Sequence, residues 1–463
     1  MIFKQFHLES LGHASYMVGD SSSGKALVLD PRRDVDVYLD SARQEGLRIA
    51  FALDSHGHND YLSGLTELRE RVDGLEVLGF AEAGYTHEHT PVKDGDRIVF
   101  GNVTVEVLHT PGHTPEHISL IVYDKESGDE PAIFLSGGAV LVGDLARPDL
   151  LGGEEQAKEA AREYCHTIQN KLLGRLPEHL EIFPTHVAGS LCGGNIGSRL
   201  STTLGYERKT NAILARVSSS EEFVDECIRL DNLPAVPPYW KRMRKQNMEG
   251  PRPLGVLREP PALKPDAFAS EMESGALVVD ARSAEAFGAA HIPGSLNVGL
   301  GSSFSTWAGT MIPDGARVLL VLDRAEDLWE ATWQLLRIGY ELPVGWLAGG
   351  MFAWRTEARP FLSTPQISVH ELQKRLDEVH VLDVRQPAEW ADGHIPGAQF
   401  ITGAELPQRF GEVPSDRPVA VICGSGYRSS AAGSFLSHQG HAQVLNVLGG
   451  MSAWNGAGYE SKE

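Results

Sequence analysis

Two kinds of hydrophobic pattern alternate along the first half of the chain. Short unbroken runs of aliphatic and β-branched residues at 26–30, 49–53, 132–135 and 180–183 read as buried strands. Residues 97–100 and 103–108 flank Gly101-Asn102, a residue order compatible with a hairpin turn, and 117–123 continues as a strand. At 154–173 and 221–230 apolar positions recur every three to four residues, the period of a half-buried helix. Strands broken by helices over roughly the first 245 residues predict a layered sheet sandwich with helices outside.

The second half has a different rhythm, and it repeats. Residues 277–282 (Leu-Val-Val-Asp-Ala-Arg) are echoed at 381–385 (Val-Leu-Asp-Val-Arg). His291-Ile292-Pro293-Gly294 returns as His394-Ile395-Pro396-Gly397, and Gly349-Gly350-Met351 returns 100 residues on as Gly449-Gly450-Met451. A period that long is a domain, not a solenoid repeat, so this is a tandem duplication. Within a copy, strand alternates with helix (317–323, then 326–338), which predicts a parallel sheet covered on both faces. Proline clusters at 234–238, 251–265 and 360–365 mark the joints. The expected domains are 1–247, 252–358 and 363–460.

Composition bounds the function. The 463 residues suit about three domains of ~150 residues. Lys and Arg number 41 against 62 Asp and Glu, a net charge of −21, which speaks against a nucleic-acid partner. No apolar run is long enough to span a bilayer, and the N-terminus lacks the apolar stretch of a secretory leader. The four cysteines form no CxxC pair, so a thiolate zinc knuckle and a disulfide framework are not expected, and a reducing cytoplasm is the expected address.

Histidines carry the first candidate chemistry. The strand at 49–53 runs into Asp54-Ser55-His56-Gly57-His58-Asn59-Asp60-Tyr61, with a helix expected from about Leu62. His113 follows a strand in Thr110-Pro111-Gly112-His113-Thr114, and His186 follows another in Pro184-Thr185-His186. Imidazoles set at several strand ends can converge at one rim of a sheet, a layout suited to zinc, iron or nickel.

These segments resemble the metallo-β-lactamase superfamily. Gly143-Asp144-Leu145-Ala146-Arg147-Pro148-Asp149 and His186-Val187-Ala188-Gly189-Ser190-Leu191-Cys192 look most like the persulfide dioxygenases and the related glyoxalase II hydrolases. The resemblance implies an αββα sandwich and a metal held by His56, His58 and His113, with Asp60 and His186 as further candidates. One iron(II) is the expected cofactor and zinc the alternative. It implies a low-molecular-weight thiol persulfide, of glutathione or coenzyme A type, as substrate, with Arg147 and Tyr206 near its anionic end. The family pattern has histidine where this chain has Tyr61, and aspartate where it has Gly138. A second metal would need both missing groups.

The second candidate is a cysteine loop. A strand at 418–422 leads into Cys423-Gly424-Ser425-Gly426-Tyr427-Arg428, and a helix follows. Backbone N–H groups of such a loop, the helix start and the Arg428 charge together stabilise an anion at the sulfur. With Asp383-Val384-Arg385 and the His-Ile-Pro-Gly segment, this resembles the rhodanese sulfurtransferases, in which Cys423 would carry sulfane sulfur as a persulfide and Asp383 and Arg428 would belong to the catalytic set. The first copy has Asp323 at the cysteine position and is expected to be inactive.

The order of the three domains resembles the bacterial persulfide dioxygenase–sulfurtransferase fusions, with sulfite and thiosulfate as the small partners. Two other readings stand beside it: a zinc thioester hydrolase with attached rhodanese domains, and a metal-free scaffold with Cys423 alone active. A homo-oligomer stays open.

Overall fold

The computed structural model describes residues 1–229 and 233–462, and within it the short apolar runs of the first half become two six-stranded sheets. In each sheet the strands lie side by side in chain order, from Ile2–Leu8 to Thr90–Val92 in one and from Arg97–Phe100 to Thr202–Thr203 in the other. Alternation decides what each face meets. Val103, Val105 and Val107 point inward with Leu120 and Val122 against Tyr16, Leu27 and Leu53 of the facing sheet. Leu108, Ile121 and Phe134 point the other way, under Ala161, Tyr164 and Ile168 of the helical stretch at 154–173.

Most expected elements appear within a residue or two of their predicted bounds. The stretch at 154–173 is α-helical only over Glu154–Thr167, and Ile168–Leu173 widens into a π turn. The helix expected from Leu62 begins at Leu65 instead, because Gly64 N bonds the Pro31 carbonyl and Ser63 Oγ bonds Asp54, which keeps the motif loop out of helical geometry. The helix at 221–230 is seen as Ser220–Cys227, and Leu230 lies outside the described residues. The pairing of Ile2–Leu8 with His13–Asp20 was not expected.

The duplication is visible as topology. One five-stranded sheet runs Ala262–Leu263, Gly345–Leu347, Val318–Val321, Leu277–Asp280, Leu296–Asn297. The second runs Gln366–Ile367, Val444–Val447, Val419–Ile422, His380–Asp383, Gln399–Phe400, the same order with every pair parallel. Each copy closes with an equivalent tryptophan: Trp354 Nε1 donates to the Pro360 carbonyl and Trp454 Nε1 to that of Glu460. Trp454 is 1% exposed among Leu372, Ile395 and Leu445. Trp454→Ala is expected to cost about 3–5 kcal/mol through the cavity it opens. Denaturant unfolding of the variant checks this, and an unchanged midpoint would contradict the packing.

The two copies touch through their polar groups as well. Ser430 Oγ donates to Asn297 Oδ1 (2.6 Å), Asn297 N donates to Ser434 Oγ (2.8 Å), and the Tyr427 hydroxyl donates to the Gly299 carbonyl (2.8 Å).

The joint between the first domain and the duplication is interlaced. Residues 1–233 and 240–256 form one compact unit, and 234–239 with 257–463 form the other. Tyr239 packs on Gly309 and Ala235 N bonds Gln386, so the first proline cluster belongs to the duplicated half. The helix Trp240–Glu249 returns to the first unit. Among the described residues no helix is long and apolar enough to cross a membrane.

Candidate metal centre and cysteine loop

Three strand ends deliver the histidines. His56 and His58 leave Arg48–Leu53, His113 leaves Val103–His109, and His186 leaves Glu181–Pro184, all at one rim and all at most 1% exposed. The rings of His56 and His58 lie 4.2 Å apart, those of His56 and His113 4.8 Å, and those of His56 and His186 5.3 Å. The structure thus gathers the four predicted imidazoles and sets Asp60 Oδ2 3.6 Å from His186 Nδ1.

Hydrogen-bond accounting fixes which nitrogens carry lone pairs. Ser55 Oγ gives its only proton to Asp30 Oδ2 (2.9 Å), so His56 Nδ1 must donate to Ser55 Oγ (2.8 Å), leaving His56 Nε2 bare. His113 Nδ1 donates to the Arg147 carbonyl (2.7 Å), leaving Nε2 bare and buried without a hydrogen-bond partner. His58 Nε2 donates to Asp30 Oδ1 (3.0 Å), leaving its buried Nδ1 bare. His56 Nε2 and His186 Nε2 face each other at 3.4 Å, a separation bridged by a shared proton or by a cation. The edge of a tetrahedron with ~2.05 Å metal–nitrogen bonds is about 3.4 Å. A buried orphan nitrogen and this spacing both fit a metal ion.

Several residues of the site were not singled out from the sequence. Asp30, held at φ +54, anchors the whole cluster: it accepts from Ser55 N, Ser55 Oγ, His58 and Thr185. His13 pairs in an isolated bridge with His186 and bonds the Asp30 carbonyl. His117 is fully satisfied, accepting from Gly138 N (2.7 Å) and donating to Thr110 Oγ1 (2.8 Å), so it supports the site without offering a lone pair. The helix Trp240–Glu249 clamps the motif loop: Asn247 Nδ2 donates to the His58 and Tyr61 carbonyls, and Arg244 binds Glu116 and the Gly57 carbonyl. Only Asp30, which ends a strand in front of a proline, carried a local signal.

The two departures from the family pattern have structural counterparts. Tyr61 is fully buried, its ring 4.2 Å from that of His13 and 4.6 Å from that of His58, and its hydroxyl reaches the Asp30 carbonyl. At Gly138 a Cβ would stand 2.8 Å from His113 Cδ2, so the site has closed over the lost carboxylate. The predicted substrate residues are otherwise engaged. Arg147 forks onto Asp149 at 2.7 Å through Nε and Nη2, and Tyr206 is 46% exposed under Arg199.

Charge is tightly controlled here. Burial, reinforced by neighbouring imidazoles, lowers His13 and His113 to about 3 and carries His56 and His117 well below the usual range. Burial opposes the charged forms of His58 and His186 too, but Asp30 raises the first, and Cys192 and Asp60 raise the second. Burial pushes Asp54 up to about 7. A lowered imidazole contributes stability above the unfolded value of ~6.5 and loses it as pH falls toward the folded value. Asp54 acts oppositely, with stability present below about 3.9 and lost as pH rises toward 7. Between about pH 6.5 and pH 4, four imidazole protons oppose one carboxyl proton. The metal-free protein is therefore expected to lose stability on acidification, by about 1.4 kcal/mol per pH unit for each net proton. Urea unfolding at fixed pH values measures the slope; a flat profile would refute it.

In the duplicated half, Val419–Ile422 ends at Cys423, which is fully buried. Gly426 N donates to its sulfur at 3.1 Å, and Ser429 Oγ lies 3.4 Å away. Gly426 turns the chain into the helix Tyr427–His438 at φ +114, a conformation that favours glycine. Gly450, at φ +51, backs the loop so closely that a Cβ would stand 2.2 Å from the Cys423 carbonyl. Arg428 is held by Glu389 through two bonds of 2.6 Å. Ser425, Gly426 and Tyr427 open onto a cleft of about 460 Å³ that Glu285, Asp323 and Asp327 of the other copy also line. Asp383, expected in the catalytic set, is fully buried and locked to Arg385, which also binds the Gly393 carbonyl. Asp280 and Arg282 repeat this pair in the copy without a cysteine.

Residues 264–357 and 368–457 each match the family model of the rhodanese-like domain. The mitochondrial persulfide dioxygenase ETHE1 of Bos taurus is 28% identical over 226 residues, covering 48% of this chain and 77% of the relative. A cytoplasmic hydroxyacylglutathione hydrolase of Arabidopsis thaliana is 30% identical over 185 residues, 40% of this chain and 67% of the relative. A sulfurtransferase of Allochromatium vinosum is 41% identical over 92 residues, 19% of this chain and 86% of the relative. Among solved structures, a metallo-β-lactamase from Staphylococcus aureus matches with a TM-score of 0.66 and 30% identity, covering 75% of this chain and 99% of that one.

Proposed function

The chain belongs to the metallo-β-lactamase superfamily and carries two rhodanese-like domains, and from that premise we infer that it is a persulfide dioxygenase–sulfurtransferase. The observation that carries this reading is the union, on one chain, of a buried centre with bare imidazole nitrogens and a cysteine sulfur held by backbone N–H at a helix start.

His56, His58 and His113 would hold one iron(II), which when bound supplies the redox chemistry that couples a persulfide to dioxygen. The balance is one persulfide, one dioxygen and one water giving one thiol, one sulfite and two protons. The chain's own part is positional. The Arg147 carbonyl fixes the His113 ring and the Ser55–Asp30 pair fixes His56, so ordering these side chains costs nothing further when a ligand arrives. Burial keeps these imidazoles neutral and free to ligate. The substrate is a glutathione- or coenzyme A-type persulfide, and the working compartment is reducing.

At the second site the Cys423 thiolate attacks the outer sulfur of a persulfide. The S–S bond breaks, the thiolate of the carrier leaves, and a cysteine persulfide forms. Sulfite then attacks the outer sulfur, releasing thiosulfate and restoring Cys423. Gly426 N–H lies against the Cys423 sulfur at 3.1 Å, where it stabilises the thiolate.

The test is oxygen uptake and sulfite formation by the full chain with glutathione persulfide, with and without added iron(II). Iron-dependent uptake is expected, with sulfite and thiosulfate together amounting to one per dioxygen, because Cys423 converts part of the sulfite to thiosulfate. No uptake above blank in the iron-loaded protein would remove the dioxygenase. Cleavage of an acyl-glutathione by zinc-loaded protein would put a thioester hydrolase in its place.

A further inference from the structure

We propose that Cys192 is a thiolate ligand of the N-terminal metal centre, supplying the negative charge that Gly138 cannot. The inference rests on the reading of that cluster as a metal site. Cys192 is 1% exposed, and its sulfur, a ring nitrogen of His113 and a ring nitrogen of His186 all lie within 4.8 Å of one another. Independently of the cysteine, His113 Nε2 is a buried nitrogen with no hydrogen-bond partner among the described residues, on a ring that belongs to this cluster.

The backbone holds the two elements in register. Arg147 N donates to the Cys192 carbonyl (2.8 Å), and the Arg147 carbonyl accepts from His113 Nδ1 (2.7 Å). One residue thus pins both the thiol loop and the imidazole. Ser190 Oγ accepts from Cys192 N at 3.2 Å and tightens the turn.

Charge supplies the need. Neutral imidazoles alone leave a buried divalent cation without a compensating anion. The nearby carboxylate of Asp30 is taken up by Ser55, His58 and Thr185. The other buried anion beside His186 is Asp60, which makes it the rival ligand to be tested. The remaining thiols of this unit lie elsewhere: Cys165 and Cys227 pack in the apolar layer under Tyr164 and Phe223. A set of histidines completed by sulfur is softer than the histidine–carboxylate set, and shifts metal preference toward zinc and cobalt.

The experiment loads the full-length Cys423→Ser protein with cobalt(II), so that the loop thiol cannot contribute. A sulfur-to-cobalt charge-transfer band in the near ultraviolet is expected. It should vanish in the added Cys192→Ser variant and survive in Cys165→Ser and in Asp60→Asn. X-ray absorption of the zinc-loaded protein provides the second measurement, with one sulfur scatterer expected at about 2.3 Å. Cobalt bound with visible ligand-field bands but no sulfur band, or a zinc shell of nitrogen and oxygen only, overturns the thiolate ligand while the histidine centre stands. A protein that takes up no cobalt overturns the metal reading itself.

Discussion

Cys423→Ser is expected to abolish sulfur transfer, lowering thiocyanate formation from thiosulfate and cyanide by on the order of a thousandfold or more. A serine hydroxyl cannot exchange with a sulfur–sulfur bond, because that reaction needs a thiolate nucleophile and a sulfur able to leave again. The substitution is otherwise mild. The sulfur is fully buried against Gly426 N and Ser429 Oγ, and a hydroxyl can keep both contacts. Unfolding stability should therefore change little, which separates lost chemistry from lost fold. Iron-dependent oxygen uptake should persist, since the histidine cluster lies in the other compact unit. Equal transferase rates in the two proteins would reject Cys423 as the carrier.

His113→Ala is expected to empty the N-terminal centre, weakening metal binding by at least about a hundredfold. The imidazole contributes a nitrogen that has no hydrogen-bond partner among the described residues, and its other nitrogen is already spent on the Arg147 carbonyl. The variant loses a ligand and leaves that carbonyl without its donor. Metal content of the purified protein, measured by elemental analysis after equal loading, reads the effect. Oxygen uptake should fall with it, while transfer at Cys423 stays. Retention of one equivalent of metal would show that His113 only lines the pocket. His117→Gln offers the contrast: its ring is already satisfied on both nitrogens, so it should keep its metal while losing stability.

The legible part of the site was the part written locally. His56 and His58 stand two residues apart after a strand, and His113 and His186 each sit in a short turn whose prolines, threonines and glycine announce a strand end. Repeats at a fixed offset made the duplication readable, down to the Asp323 that replaces a sulfur. What the sequence did not yield is what long-range pairing assembles. Asp30 reaches Thr185, 155 residues away, and Asn247 reaches His58, 189 residues away. His13 arrives through a bridge to His186 that no local pattern encodes. Cys192 was legible only as part of a family segment, because its neighbours in the chain say nothing about His113. The interlaced joint escaped for the same reason: proline marks a break in regular structure, and it does not say which side of the break the segment packs against.

The copy with Asp323 where the other has Cys423 grips the helix that follows the cysteine loop. Asn297 and Gly299 clasp the first turns of the helix on which the neighbouring loop is mounted. These two positions therefore bear on a loop whose sulfur belongs to the neighbouring copy, and Asp323 lines the cleft onto which that loop opens. The last domain alone would keep Cys423 but lose these three bonds, so the first copy serves the cysteine loop as a splint.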